Sequence, residues 1–364
     1  MKYRIDKNNR PVYLQVYKQI KEDIINGSYP YNTKLPSKRL LAAETETSTV
    51  TIEHAYALLC DEGYVESRQR SGFFVIFRVA DGFALPSSAE ISPREIAAHH
   101  PASPDFPFSV LAKTMRSVIS DFGEAILEKP QNKGCPALRL AIRQYLSRNR
   151  GIHVDTEQIV IGSGAEYLYG LIIELLGRSR TYGIEYPSYK QIKQVYRASE
   201  VSYEMLPLSG DGIDSTALAH TTADVLHTTP YRSYPTGVSA SASKRHEYIR
   251  WAGAGDRYII EDDFESEFSV STKPEDTLFS LSGTGRVIYL NTFSKTISPS
   301  LRTGYMVLPE KLVDEFDRRL GFYSCTVPAF EQYVIARLLQ NGDFERHINK
   351  VRRNKRKEMQ SSTP

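Results

Sequence analysis

Long apolar runs, paired cysteines and a sizeable net charge are what this chain has little of. No stretch of 18 or more apolar residues occurs among its 364, which excludes a membrane-spanning helix. The first residues, MKYRIDKNNRPVYLQ, contain no apolar segment of the kind a secretory signal needs, so a cytoplasmic location is expected. The three cysteines, Cys60, Cys135 and Cys325, are odd in number, far apart and without CxxC or Cys/His spacing. That excludes a disulfide framework and predicts three free thiols. The eight histidines show no ligand spacing, and His99-His100 reads as an exposed linker pair, so no metal site is expected. With 41% apolar residues and a formal charge of +3, the composition suits a globular protein of two or three domains and not a disordered or collagenous one.

The small charge hides an uneven distribution. Residues 1–78 hold 12 Lys/Arg against 9 Asp/Glu, residues 79–345 hold 27 against 33, and the last 19 hold 7 against 1. Two basic ends flank an acidic middle, a pattern that favours a nucleic-acid contact at one end.

Residues 1–78 read as a helical unit closed by a β-ribbon. Leu14, Val16, Tyr17, Ile20, Ile24 and Ile25 recur at helical spacing, and Gly27 and Pro30 end that run. Ser37 is placed to cap a short second helix, and Ser48 or Thr49 a third whose apolar face is Ile52, Ala55, Tyr56, Leu58 and Leu59, stopped by Gly63. Two short strands follow around SRQRSG. This is the order of a winged helix-turn-helix, in which a braced third helix enters the major groove and helix starts bind phosphates. Ser37, Lys38 and Arg39 then begin the second helix, and Ser48, Thr49, Thr51 and His54 face the duplex from the third. The wing from Arg68 to Gly72 offers Arg68 and Arg70 to the narrow groove or to phosphates. Residues 11–76, with PVYLQVYKQIKEDIINGSY, LPSKRLLA and TVTIEHAYALLCDEGYVESRQRSGFFV, resemble the GntR family of bacterial transcription regulators. One departure is Thr49, where that family usually carries an Arg suited to guanine or phosphate.

Residues 79–107 are rich in Pro, Ser and Ala and read as linker. From 108 to 345 helical patterns alternate with apolar strands at Gln158–Ile161, Thr181–Ile184, Val225–Thr228, Arg257–Glu261 and Val287–Leu290, the signature of an α/β domain around a mostly parallel sheet. Three segments there carry chemistry. In NTFSK, Lys295 follows a strand and is suited to form an imine with an aldehyde cofactor, with Thr292, Ser294 and Arg302 near enough in sequence to hold its phosphate. In IIEDDFESEF, Asp262 ends a buried strand, where a carboxylate can pair with a protonated pyridine nitrogen. In VIGSGAEYL, a Gly-containing turn opens a helix whose amides can meet a phosphate. Each segment alone is a common structural feature, and their joint order is what points to a site.

That order, from about Phe106 to His347, resembles the fold-type I aminotransferases, which carry pyridoxal 5′-phosphate, and the joined halves resemble the MocR subfamily of regulators. The resemblance implies Lys295 as the Schiff-base lysine, Asp262 as partner of the pyridine nitrogen and Tyr189 stacked on the ring. It places Gly164, Ala165, Thr292, Ser294 and Arg302 in the phosphate cup. It also implies a homodimer, a double-stranded DNA operator and a small amine or amino acid as effector. Several positions depart from the pattern. Phe264 stands where a Tyr usually donates to the cofactor's phenolate oxygen, and Tyr234, before PTG, is suited to replace that donor. Glu166 stands where the phosphate turn often has Gln, an unfavourable neighbour for a phosphate. The segment Pro230 to Ser233 lacks the family's usual His.

Such domains continue for roughly a hundred residues more. The expectation is therefore an incomplete small domain and a truncated or frameshifted product, with residues 346–364 a basic tail lacking the apolar stripe of a packed helix. The reading that follows is a DNA-binding regulator whose cofactor domain senses and does not turn over substrate. The alternatives are an active aminotransferase with a DNA-binding head and a remnant that binds DNA only.

Overall fold

A computed structural model describes Tyr3, Ile5, Asp6 and residues 11–69, 71–78, 106–264, 266–268 and 276–361. The chain divides into two units, Met1–His100 and Pro101–Pro364.

In the first unit, α1 (Val12–Ile25) buries Val16, Tyr17, Ile20 and Ile24, the stripe its spacing predicts. Ser37 caps α2 (Lys38–Glu44), its Oγ accepting from Leu40 N at 3.2 Å, and Ser48 caps α3 (Thr49–Asp61), accepting from Thr51 N at 3.1 Å. Gly63, at φ +75°, lets the chain reverse after α3 at no steric cost. Strands β1 (Val65–Arg68) and β2 (Gly72–Val75) pair antiparallel from Val65↔Val75 to Arg68↔Gly72. Leu41, Ile52, Leu59 and Val75 are buried in one core with α1, and each such side chain contributes about 1.5–3 kcal/mol of burial.

The second unit is a three-layer α/β structure. Its strands are β3 (Ile159–Gly162), β4 (Tyr182–Tyr186), β5 (Tyr203–Ser209), β6 (Gly212–Ile213), β7 (Val225–Thr228), β8 (Tyr258–Asp262), β9 (Val287–Thr292) and β10 (Gly304–Val307). They form one sheet in the order β3-β10-β9-β8-β7-β4-β5-β6. β4, β5, β7, β8 and β9 run parallel, while β10 is antiparallel to both β3 and β9, and β6 to β5. Side chains alternate across the sheet. Ile159, Ile161, Tyr289, Tyr305 and Val307 pack beneath helices 108–122, 136–150 and 329–340. Val160, Ile288, Leu290 and Met306 pack under helices 165–176 and 313–320 on the opposite face.

The sequence pattern points to five of these strands and not to β5, β6 or β10, whose places depend on long-range pairing. The linker and His99-His100 lie almost wholly outside the described residues. The C-terminal segment differs from expectation. A helix spans Asp343–Ser361, and its first turns do carry an apolar stripe, because Phe344 and Ile348 are buried in the core. Arg352 Nε donates to the Glu267 carbonyl at 2.6 Å. Two apolar residues one turn apart, beside a buried His347, anchor a helix whose other residues are mostly polar, and that is too short a signal to read among the basic side chains. Among the described residues no helix is long and apolar enough to cross a membrane.

Candidate functional site

Asp262 ends β8, Thr292 ends β9 and Gly162 ends β3, so all three lie at carboxyl ends of strands, where open α/β sheets bind ligands. A cavity of about 330 Å³ opens there. Ala165, Tyr189, Tyr234, Asp262, Thr292, Ser294, Lys295 and Arg302 line it together with Glu166, Tyr169 and Phe264. Residues more than a hundred positions apart in sequence are thus brought to one wall.

Gly164 sits one residue behind, capping helix Ala165–Leu176 at φ +92°. That φ favours glycine, and a Cβ there would lie 2.8 Å from Arg302 Nη2, so a larger residue would also displace the guanidinium. Arg302 itself has φ +42°, a left-handed conformation unusual for a side chain of its size. Its Nη2 lies 2.9 Å from Glu166 Oε2. Thr292 Oγ1 donates to Ser294 Oγ at 3.0 Å and accepts from Ser294 N at 3.2 Å, so the NTFSK turn is fixed by its own hydroxyls. Lys295 Nζ lies 4.2 Å from the centre of the Phe264 ring, an ammonium on a π face. The rings of Tyr189 and Tyr234 meet edge to face at 6.1 Å.

Asp262 is 2% exposed. Its Oδ2 accepts from the Tyr169 hydroxyl and faces His227 Nε2 at 3.4 Å, while His227 Nδ1 and the Tyr196 hydroxyl share a hydrogen bond at 2.8 Å. Burial, reinforced by the Asp262 charge, pushes the Tyr169 hydroxyl well above the usual tyrosine range, so it remains a donor. Asp262 Oδ1 is buried with no hydrogen-bond partner among the described residues. Such an oxygen costs about 1–3 kcal/mol and calls for a donor from the cavity side.

Beneath this wall, Arg150 Nη2 lies 3.0 Å from Asp263 Oδ2 and 3.7 Å from Glu267 Oε1, all three nearly inaccessible. Tyr289 donates to Asp263 and Asn291 to Glu267, each at 2.7 Å. The cluster fixes the residues next to Asp262 and Thr292. Glu185, also buried, accepts from Thr229 N at 3.0 Å and from the Ser233 hydroxyl at 2.7 Å, anchoring the loop that leads to Tyr234.

Tyr169, His227, Arg150 and Glu185 escaped the sequence reading. A polar His inside VLHT and a Glu inside YGIEY are the only local signals, each a single polar residue in an apolar strand.

In the first unit, Ser37, Arg39, Ser48, Thr49, His54 and Arg68 are exposed, and Lys38, Thr51 and Gly72 half-buried. Arg70 lies outside the described residues. Some of these groups already have partners. The Ser37 and Ser48 oxygens cap helices, Lys38 Nζ lies 2.6 Å from Glu53, and Arg68 Nε lies 2.6 Å from Glu66. His54 stacks edge to face on Tyr13 at 5.8 Å. Lys34, not singled out from sequence, comes within 3.1 Å of where a Gly72 Cβ would be, and so lies beside the wing.

Comparison with known proteins gives two family matches: bacterial regulatory proteins, gntR family, over residues 12–75, and aminotransferase class I and II over residues 103–362. An HTH-type transcriptional regulator of Bacillus subtilis, YdeL, is 32% identical over 358 residues, which cover 95% of this chain and 77% of that protein. The "Probable rhizopine catabolism regulatory protein MocR" of Rhizobium meliloti is 27% identical, covering 94% and 74%. The pyridoxine biosynthesis transcriptional regulator PdxR of Corynebacterium glutamicum is 28% identical, covering 93% and 75%. Among solved structures, a kynurenine aminotransferase of Pyrococcus horikoshii superposes with a TM-score of 0.64 at 24% identity, covering 76% of this chain and 73% of that one, a likeness of fold.

Proposed function

The chain belongs to the MocR-type regulators of the gntR family, in which a helix-turn-helix unit is joined to an aminotransferase class I and II domain, and from that membership we propose a regulator whose second unit binds pyridoxal 5′-phosphate. The observation that carries the cofactor reading is Asp262 Oδ1, without a hydrogen-bond partner among the described residues, on the wall that also bears Lys295 and Arg302. A buried acceptor, an amine and a guanidinium around one cavity fit a phosphorylated pyridine aldehyde.

When bound, the cofactor supplies an aldehyde and an electron-withdrawing ring. Asp262 accepts from the ring nitrogen, oriented by Tyr169 and His227. Lys295 presents its amine to the aldehyde, and Tyr189 covers the ring. Thr292, Ser294, Arg302 and the amides at Gly164 and Ala165 grip the phosphate. Tyr234 supplies the hydroxyl that Phe264 lacks.

Residues 1–78 form the DNA-binding domain, 79–107 the linker, 108–345 the cofactor domain and 346–364 its basic end. Ser37, Lys38, Arg39, Ser48, Thr49, Thr51, His54, Arg68, Arg70 and Gly72 meet an operator duplex. The protein acts as a cytoplasmic homodimer, and a small amine or amino acid shifts the balance between two arrangements of its DNA-reading heads by binding them unequally. The test is incubation of purified protein with pyridoxal 5′-phosphate. A visible absorbance band that is lost in Lys295→Ala, together with operator affinity that changes on loading, is the expected result. A chain that takes up no cofactor refutes the reading, and steady turnover of an amino acid with a keto acid would make it an enzyme instead.

A further inference from the structure

The cavity wall proposed to grip a phosphate contains an anion of its own. Glu166 lies in the first turn of helix Ala165–Leu176, where the helix dipole favours negative charge. Its Oε2 is 2.9 Å from Nη2 of Arg302, and both side chains line the cavity. The Arg302 guanidinium lies over Gly164, where a Cβ would come within 2.8 Å of it, so the ion pair sits at the helix start that would receive a phosphate. A phosphate entering this wall therefore meets a guanidinium already shared with a carboxylate, and a like charge beside it. With Arg302 55% and Glu166 36% exposed, water weakens this competition without abolishing it.

We propose that Glu166 is a built-in counter-anion that holds Arg302 when no phosphorylated ligand is present and loosens the site's grip on one that is. The ligand is then exchangeable and not a permanent resident, and its occupancy follows its concentration. Glu166 is in this sense a determinant of affinity for the phosphate ester alone, without effect on the pyridine ring. The inference rests on the cofactor reading above.

Titration calorimetry on the full chain separates the two. Wild type and Glu166→Gln are titrated with pyridoxal 5′-phosphate and with pyridoxal, which lacks the phosphate. Glu166→Gln should bind the phosphate ester up to about fivefold tighter, the upper end for an exposed pair, with pyridoxal unchanged by comparison, and the gain should shrink as salt is raised. Glu166→Ala, which removes the carboxylate by another route, should show the same selective gain and guards against a folding defect in one variant. Unchanged or weaker binding of pyridoxal 5′-phosphate in both variants, with wild type binding it, overturns the inference and leaves the cofactor reading intact. An equal gain for pyridoxal also overturns it. Failure of all three proteins to bind either ligand overturns the cofactor reading, and this inference with it.

Discussion

Replacing Asp262 by Asn should move stability and ligand binding in opposite directions. Among the described residues Asp262 Oδ1 is buried without a hydrogen-bond partner, and Oδ2 accepts from Tyr169. An Asn keeps one oxygen for Tyr169 and puts a neutral NH2, itself unpartnered, in place of the carboxylate oxygen, so what is relieved is the buried charge and not the missing hydrogen bond. Relief of that burial is expected to stabilise the ligand-free protein by about 1 kcal/mol, the lower end of the cost of such a group. Pyridoxal 5′-phosphate, by contrast, loses a charge-assisted bond worth about 1.5–3 kcal/mol, or roughly 10- to 150-fold in Kd. At a ligand concentration about 100 times the wild-type Kd, binding stabilises wild type by about 2.7 kcal/mol and the variant by about 1.4 kcal/mol or less. For a unit of this size each kcal/mol is about 2–4 °C in Tm. Differential scanning calorimetry with and without ligand resolves both effects. A variant that melts lower than wild type without ligand, and gains as much from the ligand, would refute the argument that Oδ1 awaits a donor from the cavity.

Other perturbations test the surroundings. Arg150→Met leaves Asp263 and Glu267 buried without their cation and should cost about 3–5 kcal/mol in urea unfolding; a loss under about 1 kcal/mol would show that the cluster contributes little. Glu261, which accepts from Tyr231 and from the Leu278 and Phe279 amides, is pushed up to about 7 by burial. Because the folded value is raised, its stabilising contribution is complete below the ordinary 4.5 and is lost as pH rises through about 7. Wild type should therefore lose about 3 kcal/mol more than Glu261→Gln between those limits, and parallel pH profiles would count against it. Gly164→Ala, at φ +92° and against Arg302, should destabilise by about 1 kcal/mol or more and weaken pyridoxal 5′-phosphate binding in an absorbance titration. Arg39→Ala should lower DNA affinity evenly across sequences and flatten the salt slope by about one, as read by fluorescence anisotropy; a change confined to one sequence would assign it to a base contact.

Much of this organisation is legible in the chain. Periodicity and capping chemistry are local, so Ser37, Ser48 and Gly63 mark the ends of α2 and α3, and alternating helices and apolar runs announce the parallel sheet. The proposed cofactor residues were also legible, because Asp262, Lys295 and Arg302 sit in short segments whose residue types suit one chemistry. The four-residue β10 was not, since GYMV carries no period of its own and becomes a strand only by inserting between β3 and β9. Nor was the stripe of Phe344 and Ile348, diluted by basic neighbours.

The sequence by itself determined the capped helices and the apolar parallel strands and which functional groups stand at their ends, because hydrogen-bonded caps and side-chain period depend on neighbours within a few residues. Only the tertiary structure decided who meets whom. It set Tyr169 and His227 behind Asp262, Arg150 between two acids and Glu166 on Arg302, pairings between residues 35 to 136 positions apart. Contacts of that span are made by strand order and helix packing, which no local pattern encodes.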